Sequence, residues 1–224
     1  SGNWTKNVHK FLAYLHNKGF DATPKPLGFD KTGREIVSFI KGEVSNYPLT
    51  KNASSIGVLT SAAILLRKYH DISMGFLDDN NVEEKPWQLP CRYPIEVICH
   101  GDYAPYNVVL NGKQAVGIID FDTAHPGPRT WDIAYALYRW APLTNPNNHD
   151  GFGHLKSQVA RAAHQGAEGA PVGAPSGIES GATRRASQPA TDSAAAQWNN
   201  DMTAPAKATS LEGRASRSGY GLPL

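Results

Sequence analysis

The chain of 224 residues is predicted to be an α+β protein, with helices and short strands in no repeating parallel unit. Three observations lead there. Two segments of the N-terminal half carry apolar residues at helical spacing, with short extended runs between them. An Asn111-Gly112 pair separates the apolar residues Val108, Val109 and Leu110 from Val116, Ile118 and Ile119. That is a strong hairpin signal, because both turn residues accept positive φ. A third helical pattern, rich in aromatic residues, then follows the hairpin.

In order along the chain, residues 4–18 place Val8, Phe11, Leu12 and Leu15 on one helical face, with Thr5 as cap and Gly19 as stop. Extended segments at Pro26–Phe29 and Glu35–Ile40 are joined by a polar loop containing Thr32-Gly33, after which Gly42 and Pro48 break the pattern. Residues 54–71 predict a second helix, with Ile56, Leu59, Ala63, Leu66 and Tyr69 along one face. The polar, proline-bearing segment 73–94 reads as a loop, and Ile95–Cys99 as a short strand leading into His100. Beyond the hairpin, His125-Pro126-Gly127-Pro128 reads as a rigid loop and Trp131–Trp140 as a buried helix capped by Thr130.

Near Lys156 the composition breaks. Residues 156–224 are dominated by Ala, Gly, Ser, Thr and Pro, contain no Phe, and scatter their few aliphatic residues. Such a segment buries too little apolar area to offset a chain entropy of roughly 1–2 kcal/mol per residue, and it is predicted to be a disordered tail.

The bulk numbers mainly exclude. A net charge of +2 argues against nucleic acid or an anionic membrane as the partner. Cys91 and Cys99 form neither a zinc pattern nor a disulfide framework, so a reducing, cytoplasmic setting is the expectation. His9, His16, His70 and His125 show no metal-ligand grouping either. No apolar run approaches the ~18 residues of a membrane span, and no charged-then-apolar leader is visible. The chain opens SGNWTK without Met, as a processed, tagged or truncated start would.

The chemistry is concentrated in HGDYAPYNVVLNGKQAVGIIDFD, residues 100–122. A hairpin turning near residues 111–114 sets Asn107 and Asp120 side by side at its open end, with Asp102 in the loop just before. Two oxygen ligands for a hard cation beside a free carboxylate suit Mg-nucleotide chemistry. Each residue also has a plainer reading. Asp102 is a favoured loop residue, Asn107 sits where strands are entered, and Asp122 is read as bonding to backbone in its own loop. His100 is read as a hydrogen-bonder that fixes the loop, next to Gly101, which lets the backbone turn. Asp132 is read as anchoring that loop from the start of the third helix. Trp131, Tyr135 and Trp140 are read as core.

At HGD…N…IIDFD and the following GPRTWDIAYA, the chain resembles the aminoglycoside phosphotransferase family of small-molecule kinases. That family includes choline-kinase-like enzymes and is related in fold to protein kinases. The resemblance covers about residues 4–145 and is strongest over His100–Trp140. It implies a partial N-terminal lobe and hinge over residues 1–44, and a mainly helical C-terminal lobe with the catalytic hairpin over 45–155. Asp102 would be the catalytic carboxylate that takes the proton of an acceptor hydroxyl. Asn107 and Asp120 would hold Mg²⁺ on the phosphates of ATP or GTP. Ser38 to Gly42 would be the hinge against the nucleotide base, its backbone pairing with that base while Phe39 and Ile40 wall the pocket.

Two of the family's parts are missing from the pattern. The glycine-rich loop and the strand with a phosphate-anchoring lysine should precede the first helix, which itself carries no Glu or Asp to pair with that lysine. The helices that shape the acceptor pocket should follow Leu143, where the low-complexity segment takes over instead, a change of the kind a lost reading frame produces. The expectation is a small-molecule phosphotransferase of weak activity. The alternatives are an inactive fragment or binding module that keeps the fold, and a nucleic-acid binder resting only on the mild basic balance.

Overall fold

The computed structural model describes residues 2–78, 81–141, 147 and 154–169, all within one compact unit, Ser1–Pro175. The α+β class holds: the described residues form four α-helices and six short strands. Those strands form three separate two-stranded antiparallel sheets.

Helix α1 (Thr5–Asn17) buries Val8, Phe11, Leu12 and Leu15, the face expected of it. Its cap differs from expectation. Trp4 is the N-cap and makes no side-chain capping bond, while the Thr5 hydroxyl accepts the Gly2 N–H at 3.0 Å. Gly19, at φ 78°, ends the helix as expected.

Strands β1 (Pro26–Phe29) and β2 (Glu35–Val37) pair with Phe29 opposite Glu35. The second is shorter than predicted because the chain leaves β1 after Ser38 and crosses to the hairpin. There Glu43 and Leu110 exchange backbone hydrogen bonds of 2.9 and 2.7 Å. Gly42 is required at this crossing: a Cβ would stand 2.5 Å from the Leu110 carbonyl oxygen.

Helix α2 (Ile56–Asp78) runs seven residues past its predicted end and takes in the start of the expected loop. Ser73 and Phe76 are buried in this added stretch, and that packing carries the helix through Gly75. Ile56, expected on the inner face, is exposed.

Strand β3 (Val97–Cys99) pairs with β6 (His125–Gly127), with Cys99 opposite His125. The predicted rigid loop at 125–128 is therefore largely a strand. Its one proline, Pro126, is tolerated because each strand of a two-stranded sheet has an open edge, where a missing N–H costs no ladder bond. The hairpin of β4 (Val108–Asn111) and β5 (Gln114–Ile118) is as predicted, with Val108 opposite Ile118 and Asn111 opposite Gln114.

Helix α3 (Arg129–Trp140) begins after Pro128, which is the N-cap, so Thr130 lies inside the first turn and caps nothing. Helix α4 (Leu155–Gly169) corrects the reading of residues 156–224 as uniformly disordered. It packs against α2 and α3, and its buried face is polar: Gln158, Arg161 and Gln165. The rest of that expectation lies outside the described residues.

The core joins α1 to α2 and to the hairpin. Phe11 is fully buried and meets Tyr69, Phe76, Trp87 and Phe121 edge-on, with ring centres 5.0 to 6.5 Å away. Burying a side chain of this size contributes about 1.5–3 kcal/mol. Among the described residues, no helix is long and apolar enough to cross a membrane. Cys91 and Cys99 are both free thiols.

Candidate active site

The loop after β3 is held from below by a fully buried carboxylate. Asp132, in the first turn of α3, accepts the His100 N–H at 2.8 Å and the Gly101 N–H at 2.9 Å. His70 of α2 adds its Nε2 to the same carboxylate at 2.9 Å. Burial pushes the Asp132 carboxyl upward, but the His70 hydrogen bond, the two histidine rings and the His100 amide outweigh it, and it sits below the ordinary 3.8. The anchoring role read for Asp132 is what the geometry has.

His100 is fully buried. Its Nε2 donates to the Ile119 carbonyl at 3.0 Å, and its Nδ1 accepts the Asp102 N–H at 3.3 Å. Both ring nitrogens are thus committed to backbone, and the ring ties the loop to the far strand of the hairpin. Gly101, at φ 81°, makes the turn, and a Cβ there would stand 2.6 Å from the Thr123 carbonyl oxygen.

These constraints present Asp102 half-buried at the end of the loop. Its Oδ2 accepts the Asn107 amide at 3.0 Å, and the same nitrogen reaches the Asp102 carbonyl at 3.0 Å. Its Oδ1 accepts two hydroxyls, Tyr106 at 2.7 Å and Tyr135 at 2.6 Å. Burial, then the bond to Asp102, pushes the Tyr106 phenol up to about 12, and Tyr135 is raised further by burial and the Asp102 charge. Both phenols therefore stay protonated donors across the neutral range. Tyr135 is thus corrected from core to site. Trp140 is core as expected, fully buried, and Trp131 lies under the Arg92 guanidinium at 3.6 Å.

The open end of the hairpin brings Asn107 beside the residue preceding Asp120, because the Ile119 N–H donates to the Asn107 carbonyl at 2.9 Å. Asn107 is buried, and its amide nitrogen is spent on Asp102, which leaves its side-chain oxygen without a protein donor among the described residues. Asp120 adopts φ 64°, a left-handed conformation that Asp tolerates better than most residues. Although much of its surface is open, withdrawal from water raises its carboxyl above 3.8; the His100 ring opposes this, and the Asp122 and Asp102 carboxylates add to it. Asp120 and Asp122 line a cleft of about 100 Å³ with Glu35, Val37 and Val8. Negative charge gathers at this cleft, and the ordinary remedy for such a site is a cation.

Among the described residues, no cluster of three or more His, Cys, Asp or Glu side chains is arranged for a metal.

The hinge residues are placed less as expected. The Ser38 N–H donates to the Lys25 carbonyl at 2.9 Å and its hydroxyl accepts the Lys25 N–H at 2.8 Å. Ser38 therefore continues the β1–β2 ladder and has no amide left for a nucleotide base. Phe39 is 87% exposed, and Ile40 packs over Gly117 of the hairpin.

Sequence reading missed Tyr106 and Tyr135 as site residues. The signal was spacing: Tyr106 follows Asp102 by four residues inside one motif, and Tyr135 follows Asp132 by three on one helix face.

In sequence, part of the chain is similar to phosphotransferases. Residues 82–168 match the model of the phosphotransferase enzyme family. The chain is 30% identical over 168 residues to the trifolitoxin immunity protein of Rhizobium leguminosarum bv. trifolii, covering 73% of this chain and 62% of that protein. It thus spans less than two thirds of that relative's length. Solved structures similar to it include an aminoglycoside-3'-phosphotransferase of type VIII, with a TM-score of 0.48 and 16% identity over 73% of this chain and 72% of that one. A second is an aminoglycoside phosphotransferase from Streptomyces rimosus in complex with ADP and streptomycin, with a TM-score of 0.46 and 12% identity over 72% of this chain and 75% of that one. The resemblance first read at HGD…N…IIDFD is shown, and the matched family segment contains all of that motif.

Proposed function

We propose that the chain carries the catalytic and metal-binding half of a small-molecule phosphotransferase, which moves the γ-phosphoryl group of ATP or GTP to a hydroxyl of a small acceptor. The observation that carries this reading is the Asp102 carboxylate, held between Asn107 on one oxygen and two tyrosine hydroxyls on the other. Asp102 orients the acceptor hydroxyl and receives its proton, help worth roughly 10²–10⁴-fold in rate. Asn107 and Asp120 would hold Mg²⁺ by their side-chain oxygens, and the ion would supply neutralisation of phosphate charge. Phe39 and Ile40 offer the apolar surface for a base. The two free cysteines suit a cytoplasmic setting for such an enzyme.

The test is ³¹P NMR of ATP with Mg²⁺, the full chain and a panel of small alcohols. The expected result is a new phosphate-ester resonance that Asp102→Asn reduces by about 10²-fold or more. Signals that Asp102→Asn leaves unchanged contradict the assignment.

A further inference from the structure

Arg139, one turn beyond Tyr135 on α3, is a cation that the reaction above leaves unused. Its guanidinium carbon lies 4.7 Å from the ring centre of Tyr47, 5.1 Å from that of Tyr106 and 5.6 Å from that of Tyr138. The Tyr47 hydroxyl donates to the Arg139 carbonyl, which fixes the backbone beneath it. The side chain is half-buried, its Nε is buried without a hydrogen-bond partner, and its guanidinium forms no ion pair or hydrogen bond among the described residues. Arg161 shows the contrast: it spends its terminal nitrogens on the carbonyls of Ser54 at 2.6 Å and Trp140 at 3.0 Å.

Ring faces stabilise a cation but accept none of its in-plane N–H groups. A guanidinium held by aromatic faces therefore keeps its planar edge of donors available, and that edge matches a carboxylate or phosphate. Tyr106 fixes where such a ligand would sit. Its ring lies against Arg139, and its hydroxyl rests on Asp102 Oδ1 at 2.7 Å. The unpaired cation and the proposed base are thus at opposite ends of one side chain.

We propose that Arg139 is the specificity-determining residue of the acceptor site, and that the acceptor is a hydroxyl compound bearing an oxyanion, either a carboxylate or a phosphate monoester. The proposal rests on the phosphotransferase reading above. Arg139 binds the oxyanion while the hydroxyl addresses Asp102. The acceptor oxygen forms the new P–O bond, the bond from the γ-phosphorus to the bridging oxygen breaks, ADP leaves with that electron pair, and the hydroxyl proton passes to Asp102. An acceptor with an ammonium group in the same place meets an unshared positive charge and is disfavoured.

Calorimetric titration of the full chain with D-glycerate, glycerol 3-phosphate, glycerol and ethanolamine tests this. At least one oxyanion is expected to bind roughly tenfold or more tightly than glycerol and ethanolamine, and which of the two does so separates carboxylate from phosphate. Arg139→Gln removes the preference and Asp102→Asn keeps it. Arg139→Lys retains the charge against the rings but lacks the planar fork, and it serves if Arg139→Gln does not fold. Oxyanions that bind no better than glycerol, or undiminished binding in the Arg139 variants, overturn the proposal. ³¹P NMR in the presence of Mg-ATP separates the two readings. Transfer to glycerol without oxyanion preference overturns the role of Arg139 alone. Oxyanion binding that depends on Arg139, with no transfer to any acceptor, supports Arg139 and counts against the phosphotransferase reading.

Discussion

The carboxylate of Asp132 holds the His100 backbone N–H at 2.8 Å across 32 residues of sequence, with both side chains fully buried. The same carboxylate takes the Gly101 N–H and the His70 ring, so one acid on α3 decides where the Asp102 loop stands. Its short distances and full burial make it costly to remove: three donors lose their acceptor at once.

Asp132→Ala is therefore expected to lower stability by about 3–5 kcal/mol, the range for breaking a buried charged pair from one side. Urea unfolding measures it, and a loss under ~1 kcal/mol contradicts the anchoring role. The pH dependence follows from the lowered carboxyl. A group whose folded pKa is depressed contributes stability that is fully present above its unfolded value, near 3.8, and is lost as pH falls through the lower folded value. Wild type should thus lose this contribution as pH falls from about 3.8 towards the lower folded value, and Asp132→Asn should show a shallower acid limb.

Tyr135→Phe removes one of the two hydroxyls on Asp102 Oδ1 and leaves Tyr106 in place. Stability should fall by no more than about 1.5 kcal/mol, since water reaches the half-buried site. Turnover in the phosphoryl-transfer assay should fall about ten- to a hundredfold, because a base held by fewer contacts is misplaced more of the time. Turnover equal to wild type sinks the positioning role.

Arg161→Met tests whether α4 belongs to the folded unit. The variant keeps an unbranched apolar stem and leaves the Ser54 and Trp140 carbonyls without their donors. A loss of about 1–3 kcal/mol is expected, read by thermal or urea melts. No loss implies that α4 does not pack on α2 and α3 as described.

The hairpin and the site loop were legible in the sequence because local chemistry decides both. Asn111-Gly112 sets the turn, and Gly101 permits the bend beside His100. Helix α4 was not legible because its buried positions, Gln158, Arg161 and Gln165, are polar, while Leu155 and Val159 are exposed. A hydrophobic-periodicity rule looks for the opposite pattern. Strand β6 was hidden by its proline for a similar reason: the propensity against strand is real, but a partner such as β3 outweighs it at an edge. Tyr135 reads as core in the sequence because an aromatic residue in an apolar helix usually is, and only the position of Asp102 in three dimensions gives its hydroxyl an acceptor.

The central claim is that Asn107 and Asp120 supply a magnesium site for a nucleotide next to Asp102. Calorimetric titration of the full chain with ADP, in Mg²⁺ and then in EDTA, tests it most directly. Magnesium is expected to tighten ADP binding by roughly tenfold or more, with the gain lost in Asp120→Asn and reduced in Asn107→Ala. Equal affinity with and without magnesium, or a magnesium effect that survives Asp120→Asn, contradicts the claim.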